Sequence, residues 1–153
     1  MSDSRKAAKV LFRVPNEDGS AEVETLWADD LGNDQYKLDN CPFYAYGVSW
    51  EDVVYAPFDP VEGFPTFQSV VAKSGNRTVR VILDPPAAAG NESEKLLSDL
   101  LALGCGCERA TQSYVVVNIP SSVDLAKVVV TLTNSGTAWE HADPTFEELH
   151  PEG

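Results

Sequence analysis

Hydrophobic and polar residues alternate over short stretches in the first half of the chain, and these stretches end at glycine, asparagine or proline. Alternation with a period of two is typical of a half-buried β-strand, and such turn residues separate one strand from the next. The pattern predicts strands at residues 9–14, 21–27, 35–38 and 52–56. Several short strands of this kind favour a small, strongly bent sheet or an open barrel.

The second half begins with two further strand patterns, Thr66–Val71 and Thr78–Leu83, on either side of Ser74–Asn76. A short turn of this composition between two strand patterns predicts a β-hairpin. Asp84–Pro86 ends the second strand, because proline has no N–H to donate to the ladder. The basic segment Lys73–Arg80 is therefore interpreted as a hairpin.

Two helices follow, and both carry capping residues. Leucines at helical spacing lie between Asn91, which suits a helix start, and Gly104, which suits the left-handed conformation that ends a helix. Ser121 and Asp124 form a second capping pattern, three residues apart, and the amphipathic helix that they start ends at Gly136. The continuous valine run within 113–119 predicts a strand buried on both faces, and a last strand is predicted at 137–141.

These elements predict an α+β fold in which an N-terminal short-stranded bent sheet or open barrel is joined to a ferredoxin-like two-layer α/β sandwich (β-β-α-β-α-β) with two helices. A length of 153 residues suits one domain. We predict a flexible N-terminus at 1–8, a single compact domain at 9–142 and an acidic tail at 143–153. Within the domain, 9–62 is the β-rich half and 63–142 is the α/β half.

The chain carries 24 acidic and 11 basic residues, so its net charge is −13 and its pI is about 4.3. Nucleic-acid-binding proteins normally present a basic surface, and an anionic membrane repels a chain of this charge. We therefore expect neither nucleic acid nor membrane as a partner.

The negative charge is spread unevenly. The 12 acids and one base between Glu17 and Glu62 give −11, residues 63–80 carry +3, and the chain from Asp84 onward carries −8. Most of these acids are expected to form a solvated face. Asp52 is the exception, because its position suits a cap on the turn before the strand at 52–56.

Cysteine usage and hydropathy bear on the compartment. No apolar run approaches the roughly 18 residues of a transmembrane helix, and the N-terminus lacks the apolar stretch of a signal peptide. Cys41, Cys105 and Cys107 form an odd set, unlike the disulfide framework of a secreted protein. We therefore expect a cytoplasmic protein with reduced thiols.

Sequence motifs for catalysis and for cofactor binding are missing. Cys105 and Cys107 form a C-x-C pair, whereas structural zinc sites use four ligands with longer spacings. The two histidines, His141 and His150, stand outside any serine-nucleophile or zinc-protease motif, and no glycine-rich phosphate loop occurs. We expect no enzyme activity, no catalytic residue, no metal and no cofactor.

Ser74, Asn76, Arg77 and Arg80 are the candidate contacts for an anion. A tight turn exposes backbone N–H groups, and the two arginines could fork onto a carboxylate or a phosphate. The alternative is that these arginines pair with neighbouring acids. A net charge of −13 favours that alternative.

Six aromatic residues fall between Phe43 and Phe58. Such a cluster can be a partner surface, because tyrosine and tryptophan give a large contact area with few rotamers, or it can be the core of the N-terminal half. Phe43 and Trp50 are assigned to the core. The choice stays open for the tyrosines, and the candidate partner surface is Tyr44, Tyr46, Asp29 and Asp30.

A series of short segments runs through most of the chain: Glu24–Ala28, Tyr36–Asn40, Pro42–Phe43, Gly47–Ser49, Asp52–Val54, Ser74–Arg80 and Asn118–Pro120. Over residues 9–139 this series resembles a family of small bacterial proteins, domain of unknown function 4265. Members of that family often carry glycine where this chain has Glu51. The resemblance implies a bacterial source and a single compact unit, and it implies no activity, cofactor or catalytic residue.

Two functions remain for such a chain. The first hypothesis is a non-catalytic protein-binding module, immunity- or inhibitor-like, whose acidic face meets a basic partner, because acidic surfaces accelerate association with basic proteins. The alternative is a small regulatory domain that binds an anionic ligand through the Lys73–Arg80 hairpin. The sequence makes no prediction of oligomeric state.

Overall fold

The computed structural model describes residues 6–152, which form two compact units that divide between Ser74 and Gly75. The first unit contains β1 (Lys6–Pro15), β2 (Ala21–Gly32), β3 (Gln35–Leu38), β4 (Val53–Tyr55), β5 (Phe58–Asp59), β6 (Phe64–Pro65) and β7 (Ser69–Ala72). The second unit contains β8 (Arg77–Ile82), α1 (Glu92–Leu103), β9 (Gly106–Arg109), β10 (Tyr114–Ile119), α2 (Leu125–Ser135), β11 (Ala138–Asp143) and α3 (Phe146–Leu149). The mixed α+β class predicted from the sequence is confirmed.

Five strands of the first unit form an antiparallel sheet in the order β1-β2-β3-β4-β7, and β5 pairs with β6 in a separate ribbon. The five-stranded sheet is open, since its two edge strands are β1 and β7. β1 and β2 pair from Lys6 opposite Asp30 to Pro15 opposite Ala21. Both strands are therefore longer than the strands predicted at 9–14 and 21–27.

Alternate residues of β2 show which face of this sheet is internal. Glu24, Leu26 and Ala28 are buried, whereas Val23 and Trp27 on the other face are exposed. The core on the internal face consists of Val10, Phe12, Leu26, Ala28, Tyr36, Leu38, Ala45, Val48, Val54 and Ala56. Ala45 and Val48 come from the long loop between β3 and β4, so that loop is part of the core as well as a connection.

The second unit packs two helices against a four-stranded antiparallel sheet in the order β11-β8-β10-β9. α1 connects β8 to β9, and α2 connects β10 to β11. The core brings residues of both helices together with alternate residues of β8 and β10: Val79, Val81, Leu83, Leu96, Leu97, Leu100, Cys105, Val115, Val117, Ile119, Val128 and Leu132. Val115–Val117 are completely buried, which confirms the prediction of a strand buried on both faces.

α1 begins and ends at its predicted caps, whereas α2 begins at Asp124, three residues after Ser121, where the predicted capping pattern starts. The Asn91 side chain accepts the N–H of Glu94 at 2.9 Å, and Gly104 ends α1 in the left-handed region with φ of +107°. Asp124 and Gly136 cap α2 in the same way. No helix in residues 6–152 is both long and apolar enough to cross a membrane.

The predicted hairpin around Ser74–Asn76 is wrong. β7 pairs with β4, whereas β8 pairs with β10 and β11, so the two strands belong to different sheets. A period of two determines which side chains share a face, but it does not determine which strand is the neighbour. The basic segment Lys73–Arg80 therefore joins the two units instead of forming a hairpin.

The second unit also contains elements that the sequence pattern did not indicate. The sequence pattern predicts no strand at β9 (Gly106–Arg109), because its four residues are too few for a clear alternation. The observed order is therefore β-α-β-β-α-β from β8 to β11. The segment 143–153 includes α3, whose capping box joins Thr145 and Glu148 through both side chains.

Glu51 generates a stability prediction, because it occupies the left-handed region, with φ of +69°, in the turn before β4. A side chain in this region costs roughly 1–2 kcal/mol, whereas glycine adopts it freely. Glycine also gains freedom in the unfolded chain, which offsets part of that difference. We expect Glu51→Gly to raise the free energy of unfolding by about 0.5–1 kcal/mol, measured by urea denaturation.

The matched control is Glu51→Ala, which keeps the strained backbone but removes the ion pair of Glu51 with Lys37 at 3.7 Å. An exposed pair of this kind contributes at most about 1 kcal/mol, so the alanine variant should be no more stable than the parent. A glycine variant that matches the alanine variant would contradict the assignment of strain to this turn.

Candidate functional site

The aromatic loop, residues 40–50, connects β3 to β4 and carries Phe43, Tyr44, Tyr46 and Trp50. Its central turn is tied to β2 by the buried Glu24 carboxylate. That carboxylate accepts three consecutive backbone N–H groups, those of Phe43 at 2.6 Å, Tyr44 at 3.1 Å and Ala45 at 2.9 Å. Because hydrogen bonds to an ionised acceptor are roughly twice as strong as neutral ones, the loop backbone has a fixed position on the sheet.

A second buried carboxylate, Asp52, holds the end of the aromatic loop. Its oxygens accept the backbone N–H of Ser49 at 2.9 Å, the backbone N–H of Ser74 at 2.8 Å and the Lys73 ammonium at 2.7 Å. The same ammonium donates to the carbonyl of Gly47 at 3.2 Å. The prediction that Asp52 caps the turn before its strand is confirmed by its bond with Ser49.

The loop has some side chains in the core and others in solvent. Ala45 and Val48 are buried, whereas Tyr44 and Tyr46 are 53% and 49% exposed. The two tyrosines therefore lie at the surface. The assignment of Trp50 to the core is wrong, because this residue is 36% exposed, and Phe43 is half-buried.

Asp29 and Asp30, the other residues of the predicted partner surface, lie towards the far end of β2. Asp29 is five positions along the strand from Glu24, about 17 Å from the carboxylate that binds the centre of the loop. Asn40 at the start of the loop, in contrast, accepts the N–H of Trp27 at 2.8 Å. One carboxylate oxygen of Asp30 accepts the N–H of Gly32 at 2.8 Å and so helps to close the turn into β3. Both aspartates are half-buried.

The residues predicted to contact an anion bind other groups of the protein. Ser74 belongs to the first unit, where its N–H and hydroxyl donate to Asp52 and to the carbonyl of Trp50. The other three lie in the second unit, and the amide oxygen of Asn76 accepts a hydrogen bond from Asn118.

The two arginines of that set differ in their surroundings. Arg77 donates to the carbonyl of Pro120 at 2.7 Å and to that of Val123. Arg80 is buried, and its Nε pairs with Glu140 at 3.2 Å. The two residues are three positions apart on β8, so their side chains leave opposite faces of the sheet.

Cys105 and Cys107 are poor nucleophiles. Burial raises the pKa of Cys105, and it raises the pKa of Cys107 to about 11, so both are protonated at neutral pH. None of the three cysteines forms a disulfide. In the part of the chain that the structure describes, no three His, Cys, Asp or Glu side chains are grouped so that they could hold a metal ion.

Glu24 and Lys73 organise the aromatic loop, and sequence reasoning did not identify either of them. The signal for Glu24 is its place on the same face of β2 as Leu26 and Ala28, because an acid within an apolar strand face must be satisfied by partners. Lys73 has no comparable local signal, because its partner Asp52 is 21 residues away in the sequence.

A family described as "Domain of unknown function (DUF4265)" matches residues 24–141, which run from the carboxylate that anchors the aromatic loop into β11. The chain belongs to this family. The resemblance found in the sequence is therefore confirmed. A comparison with curated proteins gives no match for this DUF4265 chain.

One solved structure is similar to this DUF4265 protein over most of both chains. It is described as a novel crystal structure of a hypothetical protein from Neisseria gonorrhoeae. The TM-score is 0.77 at 16% sequence identity, and the match covers 92% of this chain and 97% of the other. At this identity the likeness shows the fold alone.

The anchor of the aromatic loop in this DUF4265 protein can be tested by Glu24→Gln. Glutamine offers one acceptor oxygen and turns an NH₂ group towards backbone donors, so at least one buried N–H loses its partner. We expect the free energy of unfolding to fall by about 2–3 kcal/mol. Amide hydrogen exchange at Phe43–Ala45 should also become faster than in the parent.

Glu22→Gln is the control for this substitution, because Glu22 lies on the same strand and is exposed. Removing its charge should change the free energy of unfolding by no more than about 0.5 kcal/mol. If Glu24→Gln behaves like Glu22→Gln in both measurements, Glu24 does not anchor the loop.

His141 gives a pH dependence of stability with a definite sign. Burial and the nearby His150 lower the pKa of His141 in the folded chain, so the unfolded chain binds more protons once the pH falls below about 6.5. The free energy of unfolding keeps its full value above about pH 6.5, and it decreases as the pH falls from there through the lowered pKa of His141. We expect the parent to lose more stability on acidification than His141→Gln does.

Urea unfolding at a series of pH values between about 5 and 8 measures this difference. His150→Gln removes the neighbouring charge and should give an intermediate slope. Equal slopes for the parent and His141→Gln would show that folding does not destabilise the protonated imidazolium of His141.

Proposed function

We propose that this chain is a non-catalytic protein-binding module, immunity- or inhibitor-like, that presents the aromatic loop to a basic partner protein. The observation that carries the proposal is the combination of exposed Tyr44 and Tyr46 with a backbone fixed by Glu24. Tyrosine is enriched at the energetic centres of protein interfaces. A surface loop that is already ordered loses less conformational freedom when a partner binds.

The charge of the chain supports a basic partner. The net charge is −13, and an acidic protein attracts a basic one at long range, which raises the rate of association. Two of the acids, Glu24 and Asp52, are buried and contribute little to the acidic surface. Asp29 and Asp30 would extend the acidic surface along β2 beyond Trp27, which binds the first residue of the aromatic loop.

We also propose a ferredoxin-like arrangement for the second unit. The element order from β8 to β11 supports this. The first β-α-β half is β8-α1-β9, the second is β10-α2-β11, and the antiparallel strands β9 and β10 connect them. The strand order β11-β8-β10-β9 and the two helices of the core support it as well. Folds of this kind host many functions, so this arrangement does not point to any particular activity.

Binding to the aromatic loop is tested with the double variant Tyr44→Ser, Tyr46→Ser. The immobilised parent should capture a basic protein from a native lysate at low salt and release it at high salt, because charge attraction is screened by ions. With the purified partner, the double variant should bind at least about 30-fold more weakly, as expected for loss of an interface hot spot.

Leu101→Ser, Val130→Ser is the matched control, since these two side chains are about as exposed as the tyrosines but lie on α1 and α2. It should bind the partner as the parent does. If no salt-sensitive partner is captured, or if both double variants bind equally well, the proposed function is wrong.

A further inference from the structure

The first unit carries a second ordered projection besides the aromatic loop, here named the finger, residues 57–65. It consists of β5, β6 and the turn between them, with Phe58 opposite Pro65 and Asp59 opposite Phe64. Its sequence has prolines at 57, 60 and 65, each of which fixes one backbone angle.

Asp59 and Arg13 hold the finger in shape. One carboxylate oxygen of Asp59 accepts the N–H of Val61 at 2.9 Å and that of Glu62 at 3.3 Å, and the Asp59 carbonyl accepts the N–H of Gly63 at 2.7 Å. Arg13 of β1 pairs with Asp59 at 3.3 Å and with Glu62 at 3.1 Å. Hydrogen bonds to Asp59 therefore close the turn, and the ion pairs of Arg13 connect the finger to β1.

The tip of the finger is apolar in spite of these charged contacts. Val61 is 90% exposed and Phe58 is 62% exposed. Val23, directly opposite Arg13 on β2, adds a third apolar side chain on the same sheet face and is 58% exposed. A groove of about 300 Å³ beside the finger is walled partly by Pro57, Phe58, Pro60 and Phe67.

The finger and the turn that follows β1 both carry carboxylates. Asp59 and Glu62 lie in the finger, and Glu17 and Asp18 lie in the turn that follows β1, a few residues beyond Arg13. Arg13 is the basic residue among them and is paired with the two finger acids. The surface therefore combines a convex apolar tip with negative charge around its base.

We propose that the finger inserts into an apolar pocket with a basic rim on the partner protein. This inference rests on the proposed function, because it assigns a second contact to the same basic partner. A convex, preordered projection requires a concave site, and the acids around it favour lysine and arginine at the edge of that site. A second copy of this chain is a poor occupant, because two surfaces of the same negative charge repel each other.

A photo-reactive benzoyl-phenylalanine placed singly at position 61, 46 or 130 of the full chain tests this inference in a native lysate. The same protein, identified by mass spectrometry and basic in composition, should be crosslinked from positions 61 and 46. Position 130, which is 56% exposed on α2, should give no such product.

Affinity for the purified partner supplies the second measurement. Val61→Ser should weaken binding by about tenfold or more. Val130→Ser should leave it unchanged, and circular dichroism of both variants should match the parent.

Each other outcome overturns a defined part of the inference. Crosslinking from position 46 alone, or unchanged affinity in Val61→Ser, rejects the finger and leaves the proposed function standing. Crosslinking from neither position rejects both. An acidic protein, or a second copy of this chain, as the product from position 61 rejects the basic pocket.

Discussion

The buried carboxylate of Glu24 is the interaction on which the first unit depends. A charge removed from water is costly unless its oxygens are hydrogen-bonded, and here three consecutive N–H groups of the aromatic loop provide those bonds. The same bonds satisfy loop N–H groups that lie outside the strand ladders. Because Glu24 stands on β2 beside the buried Leu26, the bonds also keep Ala45 and Val48 in the core. The loop and the core are therefore stabilised by one contact.

Several carboxylates of this unit accept backbone N–H groups, so its negative charge is not all available at the surface. Asp52 closes the turn before β4, and Asp59 closes the finger. Glu24 and Asp52 are internal, so part of the −11 between Glu17 and Glu62 is structural. A count of acidic residues overestimates the charged surface wherever the acids are used in this way.

Local signals in the sequence predicted the parts of the fold that local physics controls. Both helices were found because Asn91, Gly104, Asp124 and Gly136 are capping residues whose role depends only on their neighbours in the chain. The hairpin at Ser74–Asn76 was wrong because strand pairing is a long-range choice that alternation does not encode. The surface position of the tyrosines could not be predicted for the same reason. It depends on Glu24, which is about 20 residues away and whose contact with the loop exists only in the folded chain.

Exposed apolar side chains need no explanation by themselves, because more than half of a protein surface is apolar. Leu101 and Val130 are exposed on helices that are ordered by the core beneath them. The aromatic loop is different, since neighbouring antiparallel strands such as β3 and β4 can be joined by a two-residue turn, and here 14 residues intervene. Ordering these residues costs conformational entropy, and the hydrogen bonds of two buried carboxylates together with the burial of Ala45 and Val48 help to offset that cost. The length and order of the loop follow from its share in the core, since Ala45 and Val48 are buried, and the same order gives the exposed Tyr44 and Tyr46 a defined position on the surface.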